Sequence, residues 1–369
     1  MPRDTPNLLL YTGPKIRSSN KNPVMFQVSA KIDLILILIY WILVTMSLLK
    51  ELKTPISGEL KEFQKVFRKS VKSSVPLLDV IMKYILKAKG KQIRPLIVLY
   101  SAALFDGINE STHRAATLIE LLHTATLVHD DVVDDSDRRR GRFSINALWK
   151  NKIAVLVGDY LLSRGMLTAL QAKDYHTLEI VSEAVKEMSE GELLQIEKAR
   201  KLDIDEAIYY DVIRQKTASL LASCFAVGAA SSCKSEEDIS KMWRIGENAG
   251  MAFQIKDDLL DFEKSAVTGK PSGIDIKEKK MTLPLIYLLN QSTVLKKRKI
   301  ISIIKRNNTN KKKVGWIISE VKSSGGIKYA TEKMTEFKNS SLKLLREYPE
   351  SNYRLALEQI IEFTIDRRK

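Results

Sequence analysis

Two aspartate clusters have the residue types and spacing that suit metal-assisted phosphate chemistry. Each contains the pattern Asp-Asp-x-x-Asp, the first at residues 130–134 and the second at residues 257–261. On a helix, residues i and i+4 lie roughly 6 Å apart on one face, where like charges are unfavourable unless a cation binds. Carboxylate and phosphate oxygens are ligands that Mg²⁺ prefers. We therefore predict metal ligands at Asp130, Asp131, Asp134, Asp257, Asp258 and Asp261.

The sequence around both clusters argues against an ordinary solvated surface. Leu, Val, Ile and Phe frame them, in LLHTATLVHDDVVDD and in GMAFQIKDDLLDF. An acidic patch exposed to water needs no such apolar frame, and the chain has two of them. An EF-hand is excluded because neither cluster has the alternating acidic loop with a central glycine.

Basic residues at two other places predict direct contacts to phosphate. Lys91 and Arg94 lie three residues apart, on one side of a helical turn, and Arg138, Arg139 and Arg140 follow the first aspartate cluster. Arginine offers two parallel hydrogen bonds to phosphate oxygens, and lysine offers a movable point charge. Together with the metal-binding helices, these cations predict a site for two phosphorylated substrates, one held through metal and the other directly by side chains.

The elements that must position these residues are helices. From Met46 onward, apolar residues recur mainly at three- and four-residue spacing, and few stretches alternate. Glycine and proline are thinly spread, which argues against a β-rich or low-complexity fold. We find no Gly-rich phosphate loop and no repeat of fixed period. We predict one all-α domain over residues 46–369, with helix breaks near Gly90, Gly141 and Gly269.

The formal charge of +16 has a local source, because residues 296–313 contain nine basic residues and no acidic one. Nucleic-acid binding is one interpretation, but Ile301–Ile304 interrupts the run, no aromatic residue is present, and residues 307–310 favour a turn. We favour a solvated helix–turn–helix surface, available for loose association with an anionic membrane, and expect no nucleic-acid partner. Cys224 and Cys233 are too few for a disulfide framework or a cysteine-based metal site, which fits a reducing cytoplasm.

The first 45 residues differ from the rest. Residues 1–33 are turn-rich, and residues 34–49 form a nearly unbroken apolar run of sixteen, just short of the ~20 that span a bilayer. A secretory signal does not fit, because the run begins late and no small-residue cleavage site follows. Three interpretations compete: a membrane segment, a packed helix, and sequence translated ahead of the true start. We favour the last, since Met46 opens a polar-patterned segment that needs nothing before it.

These motifs together resemble the trans-isoprenyl diphosphate synthases, the polyprenyl synthetase family. The resemblance covers nearly all of residues 75–290 and rests on GKQIRP, ELLHTATLVHDDVVDDSDRRRG, GDYLLSR, GELLQ, Lys216-Thr217, FQIKDDLLDF and TGKPSGIDIKEKKMTLPLI. It implies an all-α isoprenoid-synthase-type helical bundle around a deep central cavity, a homodimer, and Mg²⁺-dependent head-to-tail prenyl transfer. The late motif departs from the family pattern at Lys279, where glycine is usual.

The resemblance also implies roles for individual residues. Asp130 and Asp134 would hold Mg²⁺ on the allylic diphosphate, and Asp257 would hold a further Mg²⁺. The residues implied for isopentenyl diphosphate are Lys91, Arg94, His123 and Arg140. Those implied for the allylic diphosphate are Arg139, Lys216, Thr217, Gln254 and Lys270. The residues expected to carry the chemistry are Asp130, Asp134, Lys216, Thr217, Gln254 and Asp257.

The expected chemistry needs no covalent nucleophile. Cations neutralise the departing diphosphate, so that the allylic C–O bond ionises. Dipoles of Thr217, Gln254 and the Lys216 backbone would stabilise the allylic cation, which the isopentenyl double bond then attacks. A proton is lost to the released diphosphate, since the sequence offers no obvious dedicated base.

Small residues lie four and five positions before Asp130. The resemblance places the product cavity along this helix, so Thr126 and Ala125 should form its upper floor, where short-chain members carry an aromatic residue. Small side chains leave room for growth, and we predict a long-chain product of roughly six to ten isoprene units, as needed for quinone side chains. The alternatives are a short-chain farnesyl or geranylgeranyl diphosphate synthase and a catalytically silent regulatory subunit.

Overall fold

Helices build nearly all of the described chain. The computed structural model describes residues 47–87, 90–139, 141–202, 205–233, 235–262 and 273–365, and a helical segment covers residues 47–53. The α-helices that follow are α1 (Ser57–Ser70), α2 (Pro76–Lys87), α3 (Ile93–Ala103), α4 (Glu110–Val133), α5 (Ile145–Gln171), α6 (Tyr175–Lys201), α7 (Glu206–Ile213), α8 (Ser219–Ala230), α9 (Glu236–Asp261), α10 (Ile274–Lys277), α11 (Leu283–Asn290), α12 (Val294–Arg306), α13 (Lys311–Ser323), α14 (Gly326–Leu345) and α15 (Asn352–Ile365). The predicted all-α class is confirmed.

Polar caps fix where the long helices begin. Asn109 accepts a hydrogen bond from the Thr112 backbone N–H at 3.1 Å, and the Thr112 hydroxyl accepts one from the Asn109 N–H at 3.2 Å, so a capping box opens α4. Ser144 and Ser235 open α5 and α9 with a side-chain oxygen that accepts from a backbone N–H. These caps satisfy N–H groups that the first turn of a helix leaves without partners. They thereby set the start of α4 and α9, the helices that carry the two aspartate clusters.

Two helices, α3 and α8, run through the middle of the bundle. All of Pro95–Ala103 in α3 is buried, as is nearly all of α8. A helix that is apolar on every side must be covered on every side. Accordingly α3 packs against α4, α8 and α15, while α8 also packs against α6 and α9. Cys224 belongs to this core, and burial raises the pKa of its thiol to about 12, which fits a structural role.

A short antiparallel hairpin follows α4. Strand β1 (Arg138–Arg139) pairs with β2 (Arg142–Phe143), and Gly141 between them has φ +75°, a left-handed conformation that glycine adopts without strain. The helix breaks predicted near Gly90 and Gly141 are confirmed, whereas Gly269 lies outside the described residues. The hairpin itself was not predicted, because two-residue strands leave no alternating pattern.

Helix α5 packs along α4. By length and composition it is apolar enough to cross a membrane, which for a single helix is weak evidence, because core helices pass the same test. Its backbone leaves the helical conformation at Lys150, with φ 72° and ψ 160°.

The basic run forms the predicted helix–turn–helix, α12 and α13, and α12 buries Ile300, Ile303 and Ile304. The chain from Ser47 onward forms one compact unit. Residues 1–45, for which the sequence leaves open a membrane segment, a packed helix or a mistaken start, lie outside the described residues.

Candidate active site

The first aspartate cluster lies at the C-terminal end of α4. Asp130 and Asp134 are exposed, whereas Asp131 is only 4 % exposed. The last turn of this helix carries no basic residue, so the carboxylates add to the negative end of the helix dipole. Asp130 reaches solvent, but protein atoms around its carboxylate reduce its hydration and raise its pKa, while the nearby Lys216 ammonium opposes the shift. This end of α4 therefore favours a bound cation.

The second cluster lies at the C-terminal end of α9, and its carboxylates have different surroundings. Asp257 borders a cavity together with Gln254. Asp258 is buried and accepts hydrogen bonds from Tyr209 Oη at 2.7 Å and from Gln254 Nε2 at 2.8 Å. Burial raises the pKa of Asp258 to about 7, although both hydrogen bonds oppose the shift. Asp258 therefore orients Gln254 at the cavity wall.

The third carboxylate of this cluster, Asp261, holds the start of α10. Its two oxygens accept hydrogen bonds from the backbone N–H groups of Ile274 at 3.0 Å and Asp275 at 3.2 Å. The Asp275 side chain borders the same cavity as Asp257. Burial, with Asp258 and Asp261 nearby, raises the pKa of Asp275 to about 8. This end of the cavity thus gathers more carboxylates than the Asp-Asp-x-x-Asp pattern alone supplies.

A π-helical turn, Arg214–Ala218, presents Lys216 and Thr217. The Thr217 hydroxyl donates a hydrogen bond to Gln254 Oε1 at 2.9 Å. The Lys216 ammonium contacts the carboxylate of Glu192. A π-helical turn aims its side chains differently from a regular helix and is frequent at functional sites. Here it brings Thr217 to the amide that Asp258 orients.

Two glycines let the neighbouring helices approach this turn closely. A Cβ atom on Gly191 of α6 would lie 2.7 Å from the Lys216 backbone nitrogen, and one on Gly250 of α9 would lie 2.5 Å from the Ala218 Cα. Both distances are too short for real contacts. The glycine of the GELLQ motif therefore has a packing role, which is to place Lys216.

The aspartate clusters border two adjacent cavities, which share part of their wall and are together called the cleft. A cavity of about 240 Å³ is bordered by Asp257, and a wider one of about 780 Å³ is bordered by Asp134. Four residues border both: Gln195, Ala199, Lys216 and Lys280. Carboxylates of both motifs thus meet a space whose shared wall carries two lysines, an arrangement suited to a metal-bound polyphosphate.

A third cavity, of about 570 Å³, lies along another face of α4. It is bordered by His123, Asp131, Arg139 and Gln92, together with apolar side chains. Arg139 Nε donates a hydrogen bond to an Asp131 carboxylate oxygen at 2.6 Å, and Asn146 Nδ2 donates one to the Asp131 carbonyl at 3.1 Å. These bonds tie the hairpin and the start of α5 to the first motif.

The residues predicted for isopentenyl diphosphate are only partly brought together. Of those that the structure describes, His123 borders the 570 Å³ cavity. Lys91 lies with its ammonium 5.2 Å from the centroid of the Phe363 ring, and Arg94 is half-buried in the first turn of α3. The predicted residues Arg140 and Lys270 lie outside the described residues.

The two predicted chain-length residues differ in their surroundings. Ala125 is 2 % exposed and belongs to a buried cluster with Ala154 and Val157 of α5. Thr126 is half-buried and lies one turn before Asp130 on the same face of α4. The structure thus places Ala125 in the packing between two helices and Thr126 on the side of the first-motif carboxylate.

The donor set fits Mg²⁺ that arrives with a phosphate ligand. Within the part of the chain that the structure describes, no group of three or more His, Cys, Asp or Glu side chains is placed to hold a metal ion by itself. Asp134 and Asp257 nevertheless offer hard carboxylate oxygens to the cleft. Mg²⁺ commonly binds through one or two carboxylates, with substrate phosphate oxygens completing its shell.

Four residues of the cleft were missed in the sequence: Glu192, Tyr209, Asp275 and Lys280. Three of them lie inside the motifs GELLQ and TGKPSGIDIKEKKMTLPLI. Those motifs place them near the site, but nothing in the sequence indicates which contacts they make there. Tyr209 had no signal, because its contact with Asp258 joins residues 49 positions apart.

Comparison with known proteins gives a consistent result. The Polyprenyl synthetase family model matches residues 75–321. The chain is 35% identical over 320 residues to the all-trans-nonaprenyl-diphosphate synthase (geranyl-diphosphate specific) of Rhodobacter capsulatus, covering 86% of this chain and 98% of that one. It is 33% identical over 297 residues to the octaprenyl diphosphate synthase of Escherichia coli, covering 80% and 91%.

Solved structures of similar proteins extend this result to the fold. A decaprenyl diphosphate synthase from Rhodobacter capsulatus matches with a TM-score of 0.82 and 30% identity, covering 87% of this chain and 100% of that one. A geranylgeranyl pyrophosphate synthase from Bacteroides thetaiotaomicron matches with a TM-score of 0.73 and 36% identity, covering 88% and 99%.

Proposed function

The chain belongs to the polyprenyl synthetase family, and on that premise we propose that it is a trans-prenyltransferase making a long-chain all-trans polyprenyl diphosphate. It condenses isopentenyl diphosphate head-to-tail onto an allylic diphosphate. Relatives named for octaprenyl and nonaprenyl products support the long chain. A lipid of roughly six to ten isoprene units is the kind that quinone side chains need.

One observation carries the proposal: carboxylates of both aspartate motifs border the cleft, whose two cavities share a wall that holds Lys216 and Lys280. Mg²⁺ held by Asp130, Asp134 and Asp257 would supply the charge that neutralises a departing diphosphate. Of the other residues assigned to the metal, Asp131, Asp258 and Asp261 accept hydrogen bonds from protein groups with their carboxylate oxygens. We assign them to positioning those partners.

The chain's own polar groups perform the remaining work on the allylic substrate. We assign Arg139, Lys216 and Lys270 to the allylic diphosphate. Of these, Arg139 borders the 570 Å³ cavity beside the first motif, where its hydrogen bond to Asp131 holds it. The Thr217 hydroxyl and the Gln254 amide, joined by their hydrogen bond, offer dipoles to the allylic cation. Asp258 keeps the amide in one orientation through its hydrogen bond with Gln254 Nε2. Positioned dipoles of this kind need not reorganise when the charge develops.

We assign isopentenyl diphosphate to the side of α4 where the 570 Å³ cavity lies. Its wall combines His123 and Gln92 with apolar side chains, which suits a small molecule with one anionic and one apolar end. Lys91, Arg94 and Arg140 are the cations assigned to its diphosphate. Thr126, below Asp130, is assigned with Ala125 to the floor that permits a long product.

We propose that the enzyme is a homodimer that uses α5 as its interface. One side of α5 packs on α4, while Val155, Leu156, Met166, Leu167 and Leu170 are exposed to between 39% and 55%. Exposed apolar residues repeated along one helix favour association with another protein surface. A second copy of this chain supplies the same surface, as a twofold interface requires.

We place the enzyme in the cytoplasm, in loose association with an anionic membrane. Val294 and Leu295 are 65% and 78% exposed at the start of α12, directly before the basic residues of 296–313. Apolar side chains beside a basic cluster suit a membrane surface. No nucleic-acid partner is assigned, and strong salt-dependent retention on DNA would argue against this assignment.

The decisive experiment incubates the full chain with isopentenyl diphosphate, an allylic primer and Mg²⁺, and separates labelled products by length. We expect products of roughly six to ten units and none after chelation of the metal. A product that stops at three or four units would favour the second candidate, a farnesyl or geranylgeranyl diphosphate synthase, which the 36% identity to a solved geranylgeranyl pyrophosphate synthase motivates. No product at all would favour a silent regulatory subunit.

A further inference from the structure

Lys279 has a backbone conformation that glycine favours. It follows α10 with φ +60°. The Lys279 N–H donates to the Ile276 carbonyl at 3.2 Å, and the Lys280 N–H donates to the Asp275 carbonyl at 2.8 Å. This pair of bonds is the Schellman ending of a helix, whose left-handed residue is usually glycine. The Cβ atom of a lysine makes this backbone conformation unfavourable. The presence of lysine instead of glycine therefore needs an explanation outside the backbone.

The side chain of Lys279 borders the 780 Å³ cavity of the first motif. Lys305, from the last turn of α12, reaches the same wall and belongs to the basic run of residues 296–313. The cavity wall also carries Asp134, Lys216 and Lys280. The loop after α10 and the end of α12 thus add two lysines to the cleft, beyond those assigned above.

These two lysines differ from their neighbours in charge balance. Lys216 contacts Glu192, and Lys280 contacts Glu278 at 2.6 Å. Among the residues that the structure describes, no carboxylate lies within salt-bridge distance of Lys279 or Lys305. Their positive charge is therefore not neutralised by a protein carboxylate. An anionic ligand that enters the cavity can pair with both ammonium groups.

We propose that Lys279 and Lys305 form an outer cationic subsite of the cleft that binds a diphosphate group. The proposal rests on the proposed function, in which diphosphate enters this cleft on the allylic substrate and leaves it as the inorganic product. Because lysine is a movable point charge, the two side chains can follow either species. The conformational cost of lysine at position 279 is then compensated by stronger binding of the diphosphate group.

The test compares Lys279→Gly with Lys173→Gly. Lys173 has φ +61°, ends α5 with the same two hydrogen bonds, Lys173 N–H to Leu170 and Asp174 N–H to Ala169, and is exposed outside the cleft. Both substitutions relieve the same strain, so both should raise Tm by about 1–3 °C. Only Lys279→Gly should weaken diphosphate binding, by about three- to tenfold.

Two measurements separate the sources of the diphosphate. A higher KM for the allylic substrate in Lys279→Gly assigns the subsite to the substrate, and weaker inhibition by inorganic diphosphate assigns it to the product; either supports the proposal. Lys305→Gln should act in the same direction, with exposed Lys297→Gln on the same helix as its control. If Lys279→Gly raises Tm as Lys173→Gly does and leaves both constants unchanged, the proposal is overturned.

Titration calorimetry of each protein with inorganic diphosphate in the presence of Mg²⁺ makes the test independent of turnover. If the wild-type protein binds diphosphate but forms no prenyl product, the proposed function fails, and the affinities for diphosphate still test the subsite. Weaker binding by Lys279→Gly than by Lys173→Gly would then uphold the subsite, and equal binding would overturn it.

Discussion

Arg139 Nε lies 2.6 Å from a carboxylate oxygen of Asp131, and that carboxylate is 4 % exposed, whereas Asp130 and Asp134 beside it are exposed. The carboxylates of this one motif therefore lie on different sides of α4 and have different surroundings. Two of its carboxylates are available to a metal ion, and the third holds an arginine of the hairpin. A charge-assisted bond to a buried acceptor is among the stronger side-chain interactions, so Arg139 is kept at the wall of the 570 Å³ cavity.

Replacing Asp131 by Asn should lower turnover without changing the need for Mg²⁺. Loss of the charged partner releases Arg139, and we expect a decrease in kcat/KM of about tenfold or more. The Mg²⁺ concentration for half-maximal rate should stay at the wild-type value, whereas Asp134→Asn should raise it. Steady-state rates over a Mg²⁺ titration measure both. A shift in Asp131→Asn equal to that in Asp134→Asn would instead uphold Asp131 as a metal ligand.

Replacing Thr126 by Phe should shorten the product. Thr126 shares a face of α4 with Asp130, so a ring at this position would occupy space that a growing chain needs. Product length is read by chromatography of labelled lipids. Phe at Ala125 should also shorten the product, but Ala125 is packed against α5, so that variant should in addition lose about 1–3 kcal/mol of stability. An unchanged product from Thr126→Phe would show that this position is not part of the floor.

Features that depend only on the geometry of a single helix could be predicted from the sequence. The i, i+4 spacing of Asp130 and Asp134 needs only a helix to become a shared face. What it did not predict are contacts between distant residues. Tyr209 meets Asp258 across 49 positions, and the Asp261 oxygens are taken by backbone N–H groups 13 and 14 positions later. Such contacts follow from how helices pack, which periodicity does not specify.

Replacing Gly191 by Ala should disturb the π-helical turn that carries Lys216. The added Cβ would lie 2.7 Å from the Lys216 nitrogen, so helix α6 or the turn must move. We expect a loss of about 1–3 kcal/mol in unfolding free energy, together with a fall in kcat. Gly58→Ala in α1 is the matched control, because a Cβ there meets nothing within 4 Å. It should leave kcat unchanged and stabilise the fold by about 0.5–1 kcal/mol. Equal effects of the two variants would show that the close approach is not needed.

Replacing Glu247 by Gln should stabilise the protein at pH 8 more than at pH 5. Burial raises the pKa of Glu247 above 4.5; Arg214 opposes the shift, but its guanidinium also pairs with Glu187 at 3.2 Å. The folded state therefore holds this proton more tightly than the unfolded chain does. The resulting stability is fully present below pH 4.5 and is lost as pH rises through the folded value. Glutamine is neutral throughout, so its advantage over glutamate grows as pH rises from 4.5 through the folded pKa of Glu247.

Urea unfolding at pH 5 and pH 8 measures the difference in stability between Glu247→Gln and the wild type, with exposed Glu179→Gln as the control for removing one negative charge. A stability difference that is the same at pH 5 and pH 8 would contradict this account of Glu247.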